Sequence, residues 1–119
     1  MTVMQRPKPR AVIIPAVKTL AQIRSQLAES EFEFSRHAFG RAVERNISEL
    51  EIREAGAQAE VIEDYPADKY FPSVLMLGFT KVGRPLHIQV SRADTLLARI
   101  ITVYEPDPGD WVEFRNRRA

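Results

Sequence analysis

The chain has 119 residues, 45% of them hydrophobic and 28% charged, which is the size and balance of one folded domain and excludes global disorder. It has no cysteine, which excludes disulfides, thiolate zinc sites and thiol nucleophiles, and no apolar run approaches the roughly 20 residues of a membrane span. The net charge of +1 excludes a bulk polyanion binder, so a nucleic-acid contact must come from arginines that folding gathers into one place.

The charge is unevenly spread. Residues 1–30 carry five Lys/Arg against one acid, residues 31–70 five against ten, and residues 71–119 seven against five. The basic start is followed by only a five-residue apolar stretch, Ala11 to Pro15, which is too short for a secretory signal, and cytoplasm is the expected compartment. Residues 1–15 contain Pro7, Pro9 and Pro15 and read as an extended arm able to dock on a partner, ahead of a single domain over residues 16–119.

Apolar residues at helical spacing, Val17, Leu20, Ala21, Ile23, Leu27 and Ala28, predict a first helix from Val17 to Leu27. Glu31-Phe32-Glu33-Phe34 has the two-residue period of a short strand. Ser35 suits an N-cap for a second helix running to about Arg45. Ser48 with Glu51 forms a capping box for a third helix ending near Gly56, where glycine suits a C-cap.

Beyond Gly56 the period changes. Glu60 to Tyr65, Val74 to Thr80, Leu86 to Arg92 and Leu97 to Tyr104 read as four strands separated by Pro, Gly, Asp and Lys. The connections Lys81-Val82-Gly83-Arg84 and Arg92-Ala93-Asp94-Thr95 are too short for parallel crossovers. The expected fold is therefore α+β, with amino-terminal helices packed on one face of a mostly antiparallel four- to five-stranded sheet. Pro106 to Gly109 is turn chemistry, and Trp111 to Arg118 reads as a short basic tail.

Chemistry is best placed on the second helix. His37, Arg41 and Arg45 follow at i, i+4 and i+8, stacking an imidazole and two guanidiniums in one column, while Ala38, Phe39, Ala42 and Val43 take the core side. Such a column could hold a phosphodiester beside a titratable ring; the competing reading is a solvated face with Glu44 pairing an arginine. In the strand Leu86 to Arg92, His87, Gln89 and Ser91 alternate with apolar residues, and His87 by itself reads as a surface histidine. Arg84 beside the turn and Arg99 within an apolar run are more suggestive, because an arginine there faces the polar side or needs a partner. Glu60, Glu63 and Asp64 read as a solvated strand edge. Two histidines fifty positions apart make no metal-ligand pattern, and no phosphate loop or nucleophile elbow is present, so neither a metal nor a cofactor is expected.

The run Phe34-Ser35-Arg36-His37-Ala38 with Arg41, Glu44-Arg45 and Ile47-Ser48, then Val61 to Pro66, Tyr70 to Ser73, Leu77-Gly78, Gly83-Arg84-Pro85-Leu86-His87 and Ile100 to Pro106, resembles a small bacterial domain family of unassigned function over residues 32 to 114. Its members look like distant relatives of RelE- and BrnT-type toxins, often paired with zinc-finger antitoxins of the YgiT kind. That resemblance implies a compact RelE/BrnT-like α+β fold, RNA cleavage and an antitoxin covering the active surface.

The expectation is a toxin-like endoribonuclease acting on RNA or ribosome-bound mRNA without a metal. His37 serves as general acid or base, His87 or Tyr104 as the second proton-transfer group, and Arg41, Arg45, Arg84 and Arg99 as phosphate or RNA ligands. The alternative is a non-catalytic module that binds protein or nucleic acid, possible also as a homodimer. A metal-dependent hydrolase would require His37 and His87 to converge with carboxylates.

Overall fold

The computed structural model describes residues 17–67 and 71–119; the arm assigned to residues 1–15 lies outside them. Among the described residues, three helices and seven strands follow in the order α1 (Leu20–Ala28), β1 (Phe32–Phe34), α2 (Arg36–Glu44), α3 (Glu49–Ala57), β2 (Glu60–Tyr65), β3 (Ser73–Phe79), β4 (Pro85–Ser91), β5 (Ala98–Tyr104), β6 (Trp111–Val112) and β7 (Asn116–Arg117). The main sheet has the order β1-β5-β4-β3-β2, and β6 and β7 form a separate hairpin. The fold is α+β with a mostly antiparallel five-stranded sheet. No helix among the described residues is long and apolar enough to cross a membrane.

Local chemistry sets the helix starts. Ser35 Oγ accepts from the Ala38 N–H, and Ser48 and Glu51 exchange side-chain to backbone hydrogen bonds at 3.1 and 3.0 Å. The first helix begins at Leu20 rather than Val17, because Thr19 and Gln22 form a second capping box there. Val17 instead bridges to Ala93. Ser30 and Asn46 take left-handed φ of 60° and 53° just past the ends of α1 and α2, the conformation that stops a helix.

Gly56 is not a C-cap. The helix runs on through it to Ala57, and a Cβ at Gly56 would lie 2.4 Å from Leu27 Cβ, so this glycine serves the close approach of α3 to α1. The core lies between helices and sheet: Ile23 and Leu27 from α1, Ala38 and Ala42 from α2, and Ile52 and Ala55 from α3 pack on Val74, Met76, Leu86, Ile88, Val90, Ile100 and Val103. Phe39 and Val43, expected on the core side of α2, are 60% and 61% exposed, because Ala38 and Ala42 fill the contact.

β2 to β5 form an antiparallel meander, as the short connections dictate. β1 departs from that rule and pairs parallel with β5, Phe32 opposite Ala98. All of α2, α3 and β2 to β4 intervene between these two strands, so no tight crossover is needed. β1 covers only residues 98–100. Along the rest of β5 the backbone carbonyls of Ile101 and Val103 accept from Ser35 Oγ and Arg45 Nη1, so side chains complete the edge that β1 leaves.

The segment after Pro106 is not a tail. Asp107 turns the chain, Trp111 pairs with Arg117 across a hairpin, and Trp111 is buried. Leu75, Leu77 and His87 point away from the helices yet are buried as well. The hairpin closes over that second face of the sheet, with Phe114 edge-on to Phe79 and Trp111 edge-on to His87.

Candidate functional site

His87 sits at the centre of the hairpin-covered face, opposite Tyr104 on β5. Its exposure is 0%, so it is no surface histidine; the expectation missed this because the cover comes from residues 111–117, far along the chain. Nε2 lies 2.6 Å from the Phe114 carbonyl and Nδ1 3.1 Å from the Tyr104 hydroxyl. A carbonyl only accepts, so Nε2 carries the proton, and in the neutral ring Nδ1 accepts from Tyr104 O–H. Burial pushes the His87 pKa down and the Tyr104 pKa up, which holds both groups neutral.

Around this pair the sheet assembles further polar groups. Glu63 accepts both the Nε and Nη2 protons of Arg117, at 2.9 and 3.1 Å, and the Tyr65 hydroxyl donates to the same carboxylate. The Arg117 bonds hold the Glu63 carboxyl below its ordinary range. Glu60 pairs with Arg115 at 2.7 Å. The strand edge read as solvated is thus the anchor of the hairpin, for β2 meets Arg115 and Arg117 only after folding. Arg117 also stacks over the Trp111 ring at 4.7 Å. Beside the pair opens a cleft of about 460 Å³ walled by Tyr104, Trp111, Arg117 and Arg118.

The structure brings Arg45, His87 and Tyr104 together. From the end of α2, Arg45 reaches past the edge of β5 and lies 5.9 Å from the Tyr104 ring centroid. Arg84 is next to it but is occupied: its guanidinium donates to Glu51, Glu105 and the carbonyls of Arg45 and Asn46, between 2.6 and 3.0 Å. It holds the end of α2, the start of α3 and the end of β5 in one bracket. Arg99 lies exposed on β5 and pairs with Glu33 at 3.4 Å. His37 and Arg41 stay on the exposed side of α2, Arg41 beside Glu44, with the core and the sheet between them and His87. Among the described residues no three His, Cys, Asp or Glu side chains gather where they could hold a metal ion.

The Arg84 bracket predicts a large difference between arginines. Arg84→Lys offers one ammonium in place of a planar fork and is expected to cost about 2 kcal/mol in urea unfolding, whereas Arg99→Ala should change stability by less than about 0.5 kcal/mol. Equal effects at the two positions would remove the bracket.

These elements define an α+β domain in which three helices cover one face of the sheet and a polar, aromatic cluster occupies the other. The chain belongs to the family described as a domain of unknown function (DUF4258), which it matches over residues 34–105. The match takes in Arg45, Glu63, Arg84, His87 and Tyr104 and leaves α1 and the closing hairpin outside it. No curated protein and no solved structure matches the chain.

Proposed function

We propose that this protein is a toxin-like endoribonuclease of a toxin–antitoxin pair, of the RelE/BrnT type, and that its chemistry belongs to the Tyr104 cleft. The observation that carries the reading is the Tyr104 hydroxyl bonded to the unprotonated nitrogen of a buried neutral histidine, in a cleft walled by arginines. RNA brings its own nucleophile, the 2′-hydroxyl. Tyr104 oxygen takes the 2′-hydroxyl proton as its own proton passes to His87 Nδ1, and the 2′-oxygen attacks phosphorus. The 5′-oxygen leaves with a proton from solvent, giving a 2′,3′-cyclic phosphate and a 5′-hydroxyl end, and His87 Nδ1 passes its proton back through the Tyr104 oxygen to solvent, which restores the neutral pair.

Charge gathering on the phosphoryl oxygens meets the guanidinium protons of Arg117 and Arg118 that the fold leaves free. Arg117 spends Nε and Nη2 on Glu63 and also bonds Tyr65, and Arg118 spends Nε on the Pro108 carbonyl. In this reading His37 and Arg41 form a separate exposed column that can contact the RNA or an antitoxin rather than the reacting phosphate.

A second reading, a module that binds RNA or protein without turnover, is favoured by the complete burial of the His87 ring. One experiment separates the two. Purified protein is incubated with end-labelled RNA, with and without ribosomes, and both RNA retention and product ends are followed. Cleavage to cyclic-phosphate ends that falls at least about 100-fold in Tyr104→Phe, with RNA retention unchanged, is the expected result. Retention without cleavage supports the binding module, and undiminished cleavage in Tyr104→Phe removes the relay. Induced expression should arrest bacterial growth in the same order as the cleavage rates.

A further inference from the structure

On the helix-covered side lies a second feature that the cleft does not use. Phe32 and Phe34 of β1, Phe39, Ala42 and Val43 of α2, and Ile47 line a groove of about 310 Å³. Leu50, 57% exposed, extends the apolar surface at the start of α3, and Glu49 forms one wall. Three large side chains more than half exposed on one side of a small domain are a surface built to be covered. The strand beneath them, β1, lies at the edge of the sheet with one side unpaired.

Two further observations name the occupant. Among the described residues, Gln26 Oε1 and Ser30 Oγ are buried with no hydrogen-bond partner. Gln26 lies in a trough along α1, with Ala21, Gln22 and Ser25, that begins at Lys18, and Ser30 lies in the wall of the groove. An extended peptide running from Lys18 along α1 to β1 passes both residues and offers backbone N–H donors and carbonyl acceptors at regular spacing to the free edge of β1. The approach is acidic, with Glu29, Glu31, Glu33 and Glu49 exposed around the end of α1, the strand and the groove.

The sequence ahead of Val17 has the matching composition. Arg6, Lys8 and Arg10 are followed by Ala11-Val12-Ile13-Ile14-Pro15, with no acid in the first sixteen residues. The nine residues of α1 span about 13.5 Å, a distance that about four or five extended residues cover, so the stretch ahead of Val17 has the length to bring Val12 and Ile13 to the near end of the groove and Arg10 to the acidic strand. We infer that this chain's own amino-terminal segment, residues 10–15, docks along α1 and into the Phe34–Phe39–Val43 groove, adding an extended segment beside β1.

Trypsin tests this in the full chain. Arg6 and Lys8 each precede proline, so Arg10–Ala11 is the one ordinary tryptic bond before Lys18. Docking should make cleavage at Arg10–Ala11 at least about tenfold slower in the native protein than in Ile13→Asp or Val43→Asp, since cleavage follows the population of the open segment. Val43 is exposed, so its replacement leaves the core intact. Because the chain has no cysteine, Ile13→Cys/Val43→Cys adds a direct readout, an intrachain disulfide in a monomer. Equal cleavage rates in all three chains overturn the inference, and so does a disulfide-linked dimer, which would seat a second copy in the groove.

Discussion

Gly78→Ala is expected to be the most damaging single methyl that can be added to this protein, costing roughly 3 kcal/mol or more in urea unfolding. Gly78 is buried on β3, paired with Leu86, under the middle of α3. A Cβ there would lie 2.0 Å from the carbonyl oxygen of Ala55, 2.6 Å from its carbon and 3.0 Å from its Cα. These are backbone atoms of a helix, so no side-chain rotation relieves the clash. The helix itself cannot drift, because its start is held by the Ser48–Glu51 capping box and by Arg84 on Glu51. Gly40 is the matched control. It lies inside α2 with nothing within 4 Å of its added Cβ, so Gly40→Ala should raise stability by about 0.5–1 kcal/mol through helix propensity alone. A loss at Gly78 below about 1 kcal/mol would mean that α3 does not rest on β3 as described.

The contrast between these glycines shows which parts of the molecule were legible before folding. Ser35 and the Ser48–Glu51 pair could be read directly, because a cap is a contract among residues three apart. The alternation in residues 86–91 likewise told that Leu86, Ile88 and Val90 share one face. What the same alternation could not tell was that the opposite face is covered. His87 reads as surface until residues 111–117 are laid over it, and Glu63 reads as a wet edge until Arg117 reaches it.

Gly56 was misread for the same reason: its neighbour Leu27 is distant in the chain, and glycine before a turn looks like a cap whatever it packs against. A usable signal for the cover did exist. Trp111 and Phe114 interleave with Arg115, Arg117 and Arg118, and large aromatics among arginines suit a segment that binds a polar, partly apolar surface better than a solvated tail. The column on α2 shows what spacing leaves open. Spacing put His37, Arg41 and Arg45 on one line, yet only Arg45, the last of them, extends beyond the helix far enough to reach Tyr104.

His87→Ala should cost about 3 kcal/mol or more, from a cavity beside Trp111 and from the loss of the ring's hydrogen bonds with the Tyr104 hydroxyl and the Phe114 carbonyl. The hairpin turn has little margin to absorb that loss, since Glu113 and Phe114 are both held at left-handed φ, 53° and 62°, which non-glycine residues adopt at a cost. His87 also ties the closure of this face to pH. Its folded pKa lies below the ordinary histidine value, so between the two values the unfolded chain binds a proton that the folded chain does not. Stability therefore rises with pH through that interval, is complete above the ordinary value near 6.5, and is lost as pH falls towards the folded pKa. Glu51 and Glu63 also have depressed pKa values, but their contribution is lost only at more acid pH, below the carboxylate range near 4.5. Urea midpoints measured at pH 7.5 and 5.5 should fall in the native chain. They should fall less in His87→Phe, which keeps most of the ring volume and has no proton to bind. An identical pH slope in both chains would show that His87 is not the group through which acid loosens the hairpin from the sheet.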